Sequence, residues 1–240
     1  MNSFMHMIRY KCSCKEIKKG EDTLYFHKTS LYNYLINDNY GKLSNNVKGN
    51  SNNVARYPKG KSFFSYDKHV LPVNVDGKHW TTCVIDMMNE IVYTLDSLYN
   101  KATDKKVCKT ILEYVMWELD NIDTPTNAKE VWRIEHPSHI IKTAIPQQIG
   151  NSGDCGVFCI IFCEMLLSNQ SIMKVQQNTI MSYHVRKNLT KLLLTFCTNY
   201  PVTIEDNSNF DNSNDKKKQT TIEEQPEENM FYETQYETLI

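Results

Sequence analysis

The chain of 240 residues has no apolar run of membrane-spanning length: its longest, residues 157–163, falls far short of the roughly 20 residues that a span needs. The opening stretch, MNSFMHMIRYKCSCKEIKKG, lacks the uninterrupted apolar core of a secretory signal. Net charge is almost absent, at −1, so nothing global draws the chain to nucleic acid or to an anionic membrane. No internal repeat is seen. These absences point to a soluble intracellular protein, of the nucleus or cytoplasm, with no nucleic-acid or membrane partner and expected to act as a monomer. In that setting the eight cysteines (12, 14, 83, 108, 155, 159, 163 and 197) read as reduced thiols, because a chain of this size builds its own core without disulfides.

What is present is an ordinary globular composition, 40% hydrophobic and 23% charged, enough for one well-buried domain with extensions. Residues 1–60 are expected to be an N-terminal extension, partly helical, with a short helix over 29–36 capped by Thr29 or Ser30 and a flexible Asn/Lys/Ser-rich insertion over 37–60. From residue 62 the text changes to strand grammar. VLPVNV (70–75), WTTCVI (80–85) and IVYTL (91–95) are short, rich in Val, Ile, Thr and Tyr, and separated by the turn-like DGK and DMMNE. Pro72 marks the first as an edge strand, or as one that begins after it, and the next two are expected to form a hairpin.

Residues 103–121 carry Val107, Ile111, Leu112, Val115, Met116 and Leu119 at spacings of three and four, which predicts an amphipathic helix. EVWRIE (130–135) reads as a strand, and Trp117 and Trp132 as core. A last helix is expected over about 179–196, with Val185, Leu189, Leu192, Leu193 and Leu194 on or near one face. The main domain then runs over 61–200. Residues 201–240 form an expected disordered acidic tail, in which Lys216 to Lys218 read as solvated and Tyr232, Tyr236, Leu239 and Ile240 are the apolar points near the end.

The chemistry concentrates in PQQIGNSGDCGVFCIIFCEM (146–165). A polar, Gly-rich loop leads through Asp154, a good helix N-cap, into an apolar run, so Cys155 opens a buried helix. The partial positive charge at a helix start favours thiolate over thiol, and the thiolate is the nucleophile. Gly153 and Gly156 let the chain turn and a substrate approach. Such a thiol needs a base, and the base needs an orienting group. Seven histidines compete. If the hairpin turn is centred between Met87 and Met88, His79 and Asp96 stand directly opposite each other on one face, within hydrogen-bond reach. Gln148 or Gln147 supplies an amide that, with the Cys155 backbone N–H, can receive charge developing on a carbonyl oxygen. Cys159 and Cys163 read as small buried hydrophobes rather than metal ligands, and Cys12 and Cys14 as incidental; no cofactor or metal is expected.

His79-Trp80, then Val84-Ile85-Asp86, Leu95-Asp96-Ser97, Pro146-Gln147-Gln148 and Asp154-Cys155-Gly156-Val157-Phe158 together resemble the ubiquitin-like-protein-specific cysteine proteases of the Ulp/SENP type. The resemblance covers about residues 62–196, with Arg186 standing as in that family's final helix. It implies an α+β, papain-like or adenain-type fold, a small mixed sheet packed against the helix that carries the cysteine and flanked by further helices. It also implies cleavage after the Gly-Gly C-terminus of a ubiquitin-like modifier, SUMO-like in the first instance, free or conjugated. By that likeness Cys155 is nucleophile, His79 general base, Asp96 orienting acid and Gln148 oxyanion donor. Trp80, with Gly153 and Asp154, lines the substrate path, Trp80 covering a tunnel for the two glycines; the strand's alternation is expected to begin after the His79-Trp80 pair. The family's upstream W-L-N-D motif has no match in residues 1–60, where Leu35-Ile36-Asn37-Asp38 lacks the tryptophan. Two other readings follow from that: the same triad acting on a polyprotein or other non-modifier protein, or an inactive modifier-binding module.

Overall fold

The structure is a computed structural model that describes residues 1–37, 57, 61–120, 131–135, 145–148, 153–172 and 183–199. Among the described residues, five strands form one mixed sheet in chain order: β1 (Leu24–Phe26), β2 (Lys68–Val75), β3 (His79–Asp86), β4 (Ile91–Leu95) and β5 (Arg133–Ile134). The inner pairs β2–β3 and β3–β4 are antiparallel, and the outer pairs β1–β2 and β4–β5 are parallel. Among the described residues, five helices accompany the sheet: α1 (Asn2–Cys14), α2 (Leu31–Asn37), α3 (Lys101–Asp120), α4 (Cys155–Leu167) and α5 (Tyr183–Asn199).

The side-chain alternation of the strands sorts these helices into two layers. Val70, Val84, Ile91, Tyr93 and Leu95 pack against Met5 and Ile8 of α1, Phe158 and Phe162 of α4, and Val185 and Leu189 of α5. Leu71, Val73, Cys83, Ile85 and Val92 turn the other way, onto Leu31 and Leu35 of α2 and Val107, Ile111 and Val115 of α3. Helix α4 is apolar all round because it lies between the sheet and α1. Three contacts show α1 running alongside it in the same direction: Met1 Cε lies 3.6 Å from where a Gly156 Cβ would stand, Lys11 Nζ is 3.0 Å from Glu164 Oε1, and Lys15 Nζ donates to the Leu167 carbonyl at 2.8 Å.

The expected strands and the long helix stand where the periodicity put them, and α2 begins right after Thr29-Ser30. Helix α1 has no counterpart in the expectations. Its N-cap, Met1, makes no capping bond, and its buried residues are methionines and one isoleucine, so the usual start signals are missing. Pro72 is accommodated without β2 being an outer strand. Lys68 N–H and the Val70 carbonyl bond toward β1, whose pairing ends at Val70, so Pro72, next in that parity, presents its missing N–H past the end of β1. The insertion, apart from Asn37 and Tyr57, and the tail from residue 201 lie outside the described residues, as do 121, 130 and 179–182. No helix among the described residues is long and apolar enough to cross a membrane.

One buried polar contact in the fold responds to pH. His69 Nε2–H donates to the Phe63 carbonyl at 2.8 Å, which leaves His69 Nδ1 as acceptor for His27 Nε2–H at 3.0 Å, so both rings are neutral. Burial pushes His27 well below the usual histidine range and His69 down to about 4. The unfolded chain takes up protons on both below about pH 6.5 while the folded chain does not, so stability is full above that value and falls as pH drops toward the folded values. Between pH 7 and 5 the loss should be about 2 kcal/mol per histidine. Urea unfolding midpoints at the two pH values should separate clearly for the parent chain and by about half as much for His27→Gln; equal separation in both would contradict this account.

Candidate active site

Cys155 is the first residue of α4 and 8% exposed, at the end of the helix where free backbone N–H groups concentrate positive potential. Gly153, two residues earlier, has φ +70, a left-handed conformation in which a side chain would be strained. Asp154 occupies the N-cap position but makes no side-chain cap bond. Its backbone is helical rather than extended, and its carboxylate is taken instead by the Arg186 guanidinium of α5, which also approaches the Gly153 carbonyl at 3.5 Å. A charge-assisted pair displaces the cap, and it ties the mouth of α4 to α5.

His79 is the first residue of β3 and Asp96 directly follows β4. The hairpin register differs from expectation by two residues: Thr82 faces Leu95 and Asp86 faces Ile91, so the turn is centred between Met88 and Asn89. Asp86 causes the shift. Its carboxylate accepts from the Asn89 backbone N–H at 3.0 Å and its side-chain amide at 2.9 Å, and Glu90 at φ +55 closes the turn. A shift of two preserves faces, so His79 and Asp96 become diagonal rather than directly opposed neighbours. They still meet: His79 Nε2–H donates to Asp96 Oδ1 at 2.6 Å.

With Nε2 committed to Asp96, Nδ1 is the nitrogen left free for the Cys155 thiol, whose proximity is felt by both groups. The bond to Asp96, then that to Cys155, raise His79 to about 10. The His79 bond lowers the Cys155 thiol, burial opposes it, and the Trp80 and Gly156 backbone N–H groups assist. The two shifts run in one direction, toward transfer of the thiol proton to the imidazole.

The strand includes both His79 and Trp80, paired with Val75 and Asn74, so alternation starts at the pair and not after it. Their side chains leave on opposite faces, yet both reach the mouth of α4 because they stand at the sheet's end. Trp80 Cδ1 lies 3.7 Å from the position of a Gly156 Cβ.

The two glutamines divide their work. Gln147 Nε2 donates to the Asp96 carbonyl at 2.7 Å and the Ile145 carbonyl at 3.1 Å, while its Oε1 accepts from Tyr99 N–H at 3.0 Å. Both ends of that amide are spent bracing the loop that carries Asp96. Gln148 is buried, its backbone N–H bonded to the Ser97 carbonyl at 2.7 Å and its side-chain oxygen held by the Ser97 hydroxyl at 3.3 Å. The bracing roles of Ser97, Gln147 and Arg186 were not read from the sequence; adjacency of Ser97 to Asp96 and of Gln147 to Gln148 was the available signal. Cys159 is engaged by Thr82 Oγ1 at 3.2 Å within the core, and among the described residues no group of His, Cys, Asp and Glu converges as a metal site.

A mixed sheet between helical layers, with a cysteine opening the central helix, defines an α+β fold of the cysteine-protease kind. A family model described as the Ulp1 protease family, C-terminal catalytic domain, matches residues 1–196, and the chain belongs to that family. A sentrin-specific protease of Caenorhabditis elegans is 29% identical over 143 residues, which is 59% of this chain and 17% of the relative, so the chain corresponds to a small part of that protein's length. Among solved structures, SUMO protease Ulp1 with its catalytic cysteine oxidized to a sulfinic acid superposes with a TM-score of 0.56 at 17% identity, covering 81% of this chain and 77% of that one. The C-terminal Ulp1 protease domain in complex with Smt3, the yeast ortholog of SUMO, gives 0.50 at 17%, covering 72% and 67%.

The ionisation of Cys155 tests the electrostatics without any substrate. The pH dependence of its alkylation by iodoacetamide should show a midpoint below the ordinary thiol value of about 8.5. In His79→Ala the main lowering cause is gone and burial still raises the thiol, so the midpoint should move up and the rate near neutral pH fall at least about tenfold. An unshifted midpoint would contradict the pairing.

Proposed function

We propose that the chain is a cysteine isopeptidase or maturation protease that cleaves after the C-terminal Gly-Gly of a ubiquitin-like modifier, SUMO-like in type, inside the cell. The observation that carries the reading is the 2.6 Å bond from the His79 imidazole to buried Asp96, with Cys155 at the mouth of α4 close enough for that imidazole to lower its thiol. Family membership supports the reaction class, and the Smt3 complex of the Ulp1 domain supports the substrate class.

The thiolate of Cys155 attacks the carbonyl carbon of the last glycine, and the C=O electron pair moves to oxygen. Gln148, its oxygen end held by Ser97, turns its amide nitrogen to that oxyanion together with the Cys155 backbone N–H. Collapse breaks the C–N bond as imidazolium His79 gives its proton to the leaving amine. Neutral His79, kept in its tautomer by Asp96, then takes a proton from water as the water oxygen attacks the thioester carbonyl; the C–S bond breaks, the glycine acid loses its proton to solvent as carboxylate, and thiolate and imidazolium are restored. Asp154, tied to Arg186, holds the helix mouth that this path crosses. A glycine requirement fits the cleft floor. Trp80 stands close over the helix mouth, 3.7 Å from where a Cβ on Gly156 would be, and crowding there favours a substrate backbone without side chains.

A SUMO-type modifier bearing a C-terminal vinyl sulfone should label Cys155 in the parent chain and leave Cys155→Ser unlabelled. Gln148→Ala should lower kcat by about a hundredfold with little change in KM, as for loss of one oxyanion donor. If no modifier of a broad ubiquitin-like panel labels the chain while a non-modifier polypeptide is cut at Cys155, the polyprotein reading replaces this one.

A further inference from the structure

A cavity of 580 Å³ opens at the far end of α4 from Cys155, between α1, β1 and the segment around Tyr66, with Leu167 in its wall. Nothing in the proposed chemistry uses it. Its lining has two parts. One is aromatic: Tyr25, Tyr57 and Tyr66 form a cluster with ring centroids 4.6, 5.0 and 6.0 Å apart. The other is cationic. Lys15 is already paired with Glu21, and the single lining acid, Asp22, with Lys68. Arg9, half-buried and hydrogen-bonded to Tyr25, has no carboxylate partner among the described residues, and neither has exposed Lys61. A guanidinium held in a pocket without a counter-ion costs desolvation that an incoming carboxylate would offset.

The chain carries a ligand of the matching chemistry. After Lys218 there are six glutamates (223, 224, 227, 228, 233 and 237) and no lysine or arginine, with Phe231, Tyr232 and Tyr236 interleaved among them. Its point of departure is beside the cavity. Phe196, in the last turn of α5, packs on His6 at 5.9 Å and Tyr10 at 5.6 Å between ring centroids, and both of those residues line the cavity. About 23 residues lie between residue 200 and the first of these glutamates, a length whose random-coil span would be about 25 Å and whose effective concentration would be on the order of millimolar. Even weak contacts are populated at that concentration.

We propose that this cavity is the docking site for the chain's own acidic segment, residues 219–240, with glutamates on Arg9 and Lys61 and an aromatic ring of Phe231 or Tyr232 on the tyrosine cluster.

The test uses the full chain with Tyr232→p-benzoylphenylalanine, irradiated and mapped by mass spectrometry. The expected adducts are intramolecular and fall on peptides holding Arg9, Tyr25 or Tyr66. Their yield should drop at least about fivefold in 0.5 M salt. It should also drop at least that much in Arg9→Glu/Lys61→Glu, and recover when Glu228→Lys and Glu233→Lys are added. Lys61→Glu alone, at an exposed position, should lower the yield in part and keeps the test open should Arg9→Glu unfold the chain. Cys155 alkylation at its parent rate reports the fold. Adducts elsewhere, adducts only between copies, no adducts, or a yield indifferent to charge reversal would each overturn the proposal.

Discussion

One imidazole joins two faces of a sheet. His79 stands at the first position of β3, on the face shared with Asp96 and helix α3, while the thiol it must reach opens α4 on the opposite face. Only at the end of a sheet can a side chain meet both. Had His79 been placed two residues further along β3, the strand and its neighbours would stand between ring and sulfur. The 2.6 Å bond to Asp96 therefore does more than select a tautomer. It holds the ring at the sheet's edge, and much of the surrounding structure keeps its two partners still.

Asp96 is 2% exposed, and the loop after it is fixed from three sides: its own carboxylate accepts from Leu98 N–H, Gln147 bonds its carbonyl, and Gln147 and Gln148 bond the backbone of Tyr99 and Ser97. On the sulfur's side, α4 is immobilised by packing on all of its faces and pinned at its mouth by the Arg186–Asp154 pair. Helix α1 lies along its length from Met1 to Lys15, so the N-terminal segment belongs to the support of the nucleophile. The geometry is preorganised by second contacts of this kind, which is what a step depending on sub-ångström alignment requires.

Much of this was legible in the chain. The β-branched runs of β3 and β4 and the three-four spacing of α3 carry strong periodic signals, and both faces of the sheet are buried, as their near-continuous apolar character implies. The cysteine at a helix start was visible because a polar glycine loop abuts an apolar run. The hairpin register lies two residues from the expected one because the Asp86 and Asn89 side chains, and not Met87-Met88, decide the turn; the shared face of His79 and Asp96 is unchanged. Helix α1 was invisible for a different reason. Met1, Met5, Ile8 and Cys12 do have helical spacing, but without a capping side chain or strong helix formers the pattern has no boundary to announce it. The choice between Gln147 and Gln148 could not be made from spacing, because it rests on which amide the backbone of residues 96–99 consumes.

The protonation state of His79 in the resting protein decides whether Cys155 is armed as a nucleophile. A nitrogen-15 NMR titration of the imidazole reads it directly. The bonds to Asp96 and Cys155 require a ring that stays doubly protonated through neutral pH and releases its proton only toward about pH 10. A ring that titrates near the ordinary value of about 6.5, neutral at pH 8 with Cys155 still a thiol, would contradict the thiolate–imidazolium pair.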